Sequence, residues 1–142
     1  MPNYHGTILY YAPAPHQGDG KLTVLCVRLG LRLRRVKPEE LEQTVGCLAG
    51  LDRGQEAPGA EGAQPVGEPM LVLCSLDERS MDALLRGLRQ PGLPRIVLKA
   101  VLTPTNRGWT MRVLYEELCA ERAGIARHQE EGQDRPASEP QV

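Results

Sequence analysis

Four short runs of apolar and β-branched residues alternate along this chain with four stretches whose apolar residues recur at helical spacing, and this alternation constrains the fold most. Thr7 to Ala12 is β-branched and aromatic and is closed by Pro13-Ala14-Pro15, which predicts a strand followed by a loop. Leu22, Leu25, Cys26 and Leu29 mark one face of a helix, with Asp19 as its N-cap and Gly30 just past its end. Leu31-Arg32-Leu33-Arg34 then alternates with period two, as a half-buried strand does. Pro38 opens a second helix with the stripe Leu41, Val45 and Leu48, and Gly50 stops it. Met70 to Cys74 is an unbroken apolar run, suited to a strand covered on both faces. Met81, Leu84, Leu85 and Leu88 form a third helix behind an Asp77 cap, and Ile96 to Thr103 form a fourth strand. Met111, Leu114, Tyr115 and Leu118 complete the series as a fourth helix.

The order βαβαβαβα predicts a single small α/β domain, a four-stranded parallel sheet with right-handed crossovers and helices on both faces. The apolar first and third strands, or third and fourth, belong in the centre. The Arg-rich second strand belongs at an edge, where charge discourages pairing with another chain. The expected sheet order is 2-1-3-4. One domain at 1–131 fits a chain of 142 residues, with an insertion at 52–68. That insertion holds four glycines, two prolines and four acids, so it can bury little and is expected to be disordered. Residues 132–142 are expected to form a loose tail.

A net charge of −1 excludes a strongly basic or acidic protein. No run approaches the roughly 18 apolar residues that span a bilayer, and Met1-Pro2-Asn3-Tyr4-His5 lacks the plan of a signal peptide. A cytoplasmic protein without a membrane partner is expected. Cys26, Cys47, Cys74 and Cys119 stand at least 21 residues apart among apolar neighbours, which is the pattern of reduced core thiols rather than of a zinc site. His5, His16 and His128 have no second ligand at i+3 or i+4, so no metal and no cofactor is expected.

Strand-end loops are where an open parallel sheet binds ligands, which directs attention to Ala12–Asp19, Ser75–Asp77 and Pro104–Asn106. Gly18-Asp19-Gly20-Lys21 resembles a phosphate cradle, yet Thr23 stands where a dinucleotide fingerprint needs glycine. Pro15 and Leu22 stand where a P-loop needs glycine and Ser or Thr. Neither the acid cluster of a phosphoacceptor receiver nor a Gly-x-Ser-x-Gly elbow is present. Lys21 to Lys37 carries six cations and no acid, with Arg32, Arg34, Arg35 and Lys37 as a candidate surface for a polyanion or protein partner. The stretch has no aromatic on which a base could stack, which argues against nucleic acid. Lys99 interrupts an apolar strand and must reach solvent, meet a carboxylate or bind a ligand.

The segment Lys99-Ala100-Val101-Leu102-Thr103-Pro104-Thr105-Asn106-Arg107-Gly108-Trp109, with Leu114-Tyr115-Glu116-Glu117-Leu118 after it, resembles the closing motif of a family of short bacterial proteins. That family is known only as a domain of unknown function, common in anaerobic Gram-positive bacteria. The likeness extends more loosely over Thr7–Leu51 and Met70–Leu118. It implies a small α/β protein of the bacterial cytosol and brings no catalytic residue. Thr105 or Asn106 can cap the final helix, and Trp109 can pack under the strand-to-helix turn, shielded from water. Alternatively, Lys99, Thr103, Thr105 and Asn106 form an anion-receptive pocket at a helix N-terminus.

Two functions follow. One is a non-enzymatic binding or regulatory module that uses its sheet edge, basic stretch or last helix to hold a protein partner. The other is a small-ligand- or anion-binding domain, in some form enzymatic, that draws His16, Asp77, Lys99 and Asn106 into one deep pocket.

Overall fold

The computed structural model describes residues 5–52 and 67–132. Strand β1 (Thr7–Tyr11) leads through α1 (Asp19–Arg28) to β2 (Arg32–Val36), and α2 (Val45–Leu48) follows a 3-10 turn at Pro38–Glu40. Strand β3 (Met70–Cys74) then leads through α3 (Glu78–Leu88) to β4 (Leu98–Val101). A second 3-10 turn, Asn106–Gly108, precedes α4 (Met111–Gly132). The four strands form one open sheet in the order β2-β1-β3-β4, as the charge pattern of β2 predicted.

The sheet is mixed rather than parallel, which corrects the expected topology. β1 pairs in parallel with β2 and β3 with β4, but β1 and β3 are antiparallel, with Tyr11 opposite Met70 and Thr7 opposite Cys74. The reason lies in the connection between β2 and β3. Val36 and Met70 are both registered with Tyr11, so that connection begins and ends at one edge of the sheet. A parallel β3 would instead require it to return across a strand length of about 16 Å, as the crossover of a βαβ unit does, usually through a helix. Between β2 and β3, the described α-helix is the four-residue α2.

That helix is short because its backbone has other partners. A helix running on from Pro38 would bond the Leu41 carbonyl to the Val45 amide. Instead the Leu41 and Gln43 carbonyls accept from the Arg112 and Met111 amides at 2.9 and 3.0 Å, and Val45 N–H donates to the Trp109 carbonyl at 2.9 Å. Thr44 then caps α2 by accepting from Cys47 N–H at 3.1 Å. The single helix expected over 38–48 is therefore a 3-10 turn, a bridge to the start of α4 and one helical turn.

Alternation along the strands makes two cores. Leu9, Tyr11, Met70 and Val72 face α2 and α4, meeting Val45, Leu48, Met111 and Leu114. Ile8, Tyr10, Leu71 and Leu73 face α1 and α3, meeting Leu22, Leu25, Cys26 and Leu84. Each such leucine, fully buried, contributes about 1.5–3 kcal/mol. Gly30 (φ +72°) ends α1 in a Schellman turn, with Leu31 N–H on the Cys26 carbonyl and Gly30 N–H on that of Val27. Asp77 caps α3 as expected, accepting from Ser80 N–H at 2.7 Å.

The insertion and tail expected at 52–68 and 132–142 lie almost wholly outside the described residues. Both ends of the insertion are held. Asp52 takes a bidentate grip from Arg107, while Glu68 pairs with Arg122 and its amide donates to the Tyr115 hydroxyl at 2.9 Å. Trp109 is half-buried against the α2–α4 core, more open than the expected shielded indole. All four cysteines are thiols; Cys26, Cys47 and Cys74 are buried and Cys119 is half-buried.

Candidate functional site

Because β1 and β3 run in opposite directions, the strand ends divide between two edges of the sheet. The loop after β1, with His16, leaves from the edge where β3 begins. The loops after β3 and β4, with Asp77 and with Thr103, Thr105 and Asn106, leave from the other. His16 is thus separated from Asp77 and Asn106 by the length of a strand.

At the β1 edge, Asp19 gathers three donors. Tyr10 Oη–H donates to its Oδ1 at 2.9 Å, and His16 N–H and Arg35 Nη2–H donate to Oδ2 at 3.0 and 3.1 Å. Arg35 also lies 5.3 Å from the centre of the Tyr10 ring, within cation–π range. His16 itself is exposed, with Nδ1 accepting from Gly18 N–H at 2.7 Å. Burial acts to raise the Asp19 pKa, but the hydrogen bonds from His16, Tyr10 and Arg35 outweigh it and hold the carboxyl below its ordinary range. Burial first, and then the Asp19 hydrogen bond, push the Tyr10 hydroxyl upward. A carboxyl with a depressed folded pKa adds stability above its unfolded pKa and loses it as pH falls through the folded one. Stability in urea is therefore expected to fall between about pH 5 and 2, and Asp19→Asn should flatten that slope. An unchanged slope would remove Asp19 from the acid response.

At the other edge, the polar groups are bound to their own backbone. Asn106 is 7% exposed; its Oδ1 accepts from Thr103 N–H at 2.8 Å and its Nδ2 donates to the Val101 carbonyl at 3.0 Å. Thr103 Oγ1 in turn accepts from Asn106 N–H at 3.1 Å. Thr105 is exposed and makes no side-chain cap bond. The cap on α4 is Thr110, whose Oγ1 accepts from Val113 N–H at 3.1 Å, in place of the expected Thr105 or Asn106. Lys99 meets no carboxylate among the described residues; its Nζ donates to the Ile96 carbonyl at 2.6 Å.

The basic stretch is partly neutralised. Arg34 pairs with Glu40 at 2.8 Å and donates to the Leu48 carbonyl at 2.9 Å, and Arg35 pairs with Asp19. Arg32 and Lys37 remain exposed. Cations without an ion pair among the described residues gather elsewhere, in a groove of about 750 Å³ between the end of α3, the 90–95 turn and β4. Arg89, Arg95 and Lys99 line it beside Leu88, Leu93 and Val97, and among the described residues no carboxylate lines it. Val97 is 59% exposed and Val101 46%, so the α3-side face of the edge strand is open.

Residues 69–124 match DUF3783, a domain of unknown function. No curated protein and no solved structure matches the chain. The DUF3783 segment spans β3, α3, β4 and the described side chains of α4, and so holds the whole groove together with the Thr103–Asn106 lock. The resemblance over Thr7–Leu51 lies outside it. Of the groove residues, Lys99 was singled out from sequence, whereas Arg89, Arg95 and Val97 were not. Their signal was a second acid-free stretch: from Ala83 to Tyr115 the chain has six cations and no carboxylate.

Proposed function

We propose that the protein is a non-enzymatic binding module of the bacterial cytoplasm that docks another protein on one of its open surfaces. The observation that carries this reading is the commitment of the strand-end polar groups to the chain's own backbone. Asp77 caps α3, Asn106 and Thr103 bond each other's segment, and Asp19 closes the loop after β1. Catalysis needs an acid, a base or a nucleophile aimed at a shared point, and His16 and Asn106 stand on opposite edges. The buried thiols are poor nucleophiles as well, since burial pushes Cys26 up to about 11 and Cys74 up to about 12. Among the described residues, no helix is long and apolar enough to cross a membrane.

The test places a photo-crosslinking amino acid, in turn, at Val97 just before β4, Arg32 on β2 and Val113 on α4, each exposed. A discrete adduct that an unlabelled copy of the protein competes away is expected at one of them, and a metabolite panel should leave the melting temperature unchanged. Absence of an adduct at all three positions, or saturable stabilisation by a metabolite whose amide shifts map to the strand-end loops, overturns the reading.

A further inference from the structure

We propose that the groove beside β4 receives an acidic, extended peptide segment of a partner protein, added to the sheet as a fifth strand; this rests on the binding-module reading. Among the described residues β4 is an edge strand, paired with β3 alone. Leu102 N–H bonds the Leu73 carbonyl, so the alternation of a strand turns the Val101 and Lys99 backbone groups outward. The Asn106 amide on the Val101 carbonyl agrees with that direction and ends the open edge there. The Lys99 amide and carbonyl and the Val101 amide are left facing out. An unpaired edge of this kind recognises a strand through main-chain bonds, while neighbouring pockets select its side chains.

The chemistry of the neighbouring residues specifies the occupant. On the α3 side, an added strand would set its side chains over Lys99 and into a groove with Arg89 and Arg95 and, among the described residues, no carboxylate. Carboxylates opposite those cations gain cross-strand ion pairs that are partly shielded from water. On the other side it would meet Ala100 and Leu102, half-buried members of the α2–α4 core, which favour apolar side chains. The matching peptide alternates acidic and apolar residues. A second copy of this chain fits poorly: two β4 strands paired antiparallel about a two-fold axis keep both sets of Arg89, Arg95 and Lys99 on one face, with the two Lys99 side chains directly opposite or on the diagonal, and like charges so placed are destabilising.

The probe is a labelled peptide of about eight residues alternating glutamate and valine, long enough to cover the edge. Fluorescence anisotropy should show saturable binding that weakens as salt rises. Binding should drop about tenfold or more in Arg95→Glu/Lys99→Glu, and for the peptide with lysine in place of glutamate. N-methylation of alternate peptide amides should also abolish it, and that arm needs no change in the protein. Both substituted residues are exposed, and Arg95→Gln/Lys99→Gln serves if the charge reversal melts early. Three results overturn the proposal: no binding at about 1 mM peptide, equal binding of the lysine peptide, or equal binding of the N-methylated one. Adducts at Arg32 or Val113 alongside any of these would sink the groove and keep the module, whereas no adduct at any of the three positions would sink both.

Discussion

Gly18→Ala is expected to lose about 3 kcal/mol of stability or more, whereas Gly20→Ala, two residues on, should gain about 0.5 kcal/mol. The substitutions add the same methyl group. At Gly18 it would drive into the Gly92 carbonyl oxygen and sit 3.0 Å from Cδ and N of Pro94. These are backbone and ring atoms, which cannot swing aside as the end of a long side chain does. Gly92 is itself at φ +89°, a conformation that holds the turn in place. Relief requires the start of α1 to separate from the turn before β4, which would disturb the Gly18 N–H bond to His16 Nδ1 and the seat of Leu22 in the core. At Gly20 nothing lies within 4 Å, so alanine simply lowers the entropy of the unfolded chain and favours the helix. Urea melts of the two variants beside the parent decide the matter. Parental stability in Gly18→Ala would mean that α1 and the 92–94 turn do not pack as tightly as described.

The sequence was legible where a local rule has one outcome. Gly30 just past a helical stripe and Asp77 just before one are set by local hydrogen bonding, and both do what they predict. The charged edge and the apolar centre of the sheet are set by solvation, and the order 2-1-3-4 followed from them. The direction of β3 was not legible from Met70–Cys74, because side-chain alternation is the same whichever way a strand runs. It shows only in long-range pairing: Val36 and Met70 both stand beside Tyr11, so the β2–β3 connection returns to the end of the sheet it left, and Leu41, Gln43 and Val45 pair with residues 109–112 instead of continuing a helix. The candidate site suffered the same error. A parallel sheet would have brought the loops after β1 and β3 to one edge, and the antiparallel pair sends His16 and Asp77 to opposite ones. Lys99 was recognisable as an anomaly in an apolar strand. Arg89 and Arg95 join it only through the fold of the 90–95 turn, which carries no periodic signal.

Asn106→Ala is expected to cost about 2–4 kcal/mol, although it removes no large apolar group. The amide satisfies a donor and an acceptor at once, Thr103 N–H and the Val101 carbonyl, and at 7% exposure water replaces neither bond fully. The loss should exceed that of Thr103→Val, which deletes one acceptor for the Asn106 amide and should cost about 1 kcal/mol. Asn106→Asp separates the two roles. Its carboxylate can still accept from Thr103 N–H but sets a negative oxygen against the Val101 carbonyl. Burial and that carbonyl both favour the protonated acid, which can donate to Val101, so the pKa of the new carboxyl in the folded state should lie above its unfolded value. A carboxyl raised on folding binds more protons in the native state, and the deficit of Asn106→Asp against the parent should shrink as pH falls through that raised value. Comparing the two proteins at each pH cancels the acid loss they share through Asp19. The measurement is the urea midpoint of both from pH 7 down to about 4. A deficit constant over that range would show that Nδ2 is not the donor that closes the Val101 carbonyl, and the outer edge of β4 would then run one residue further than Asn106 now permits.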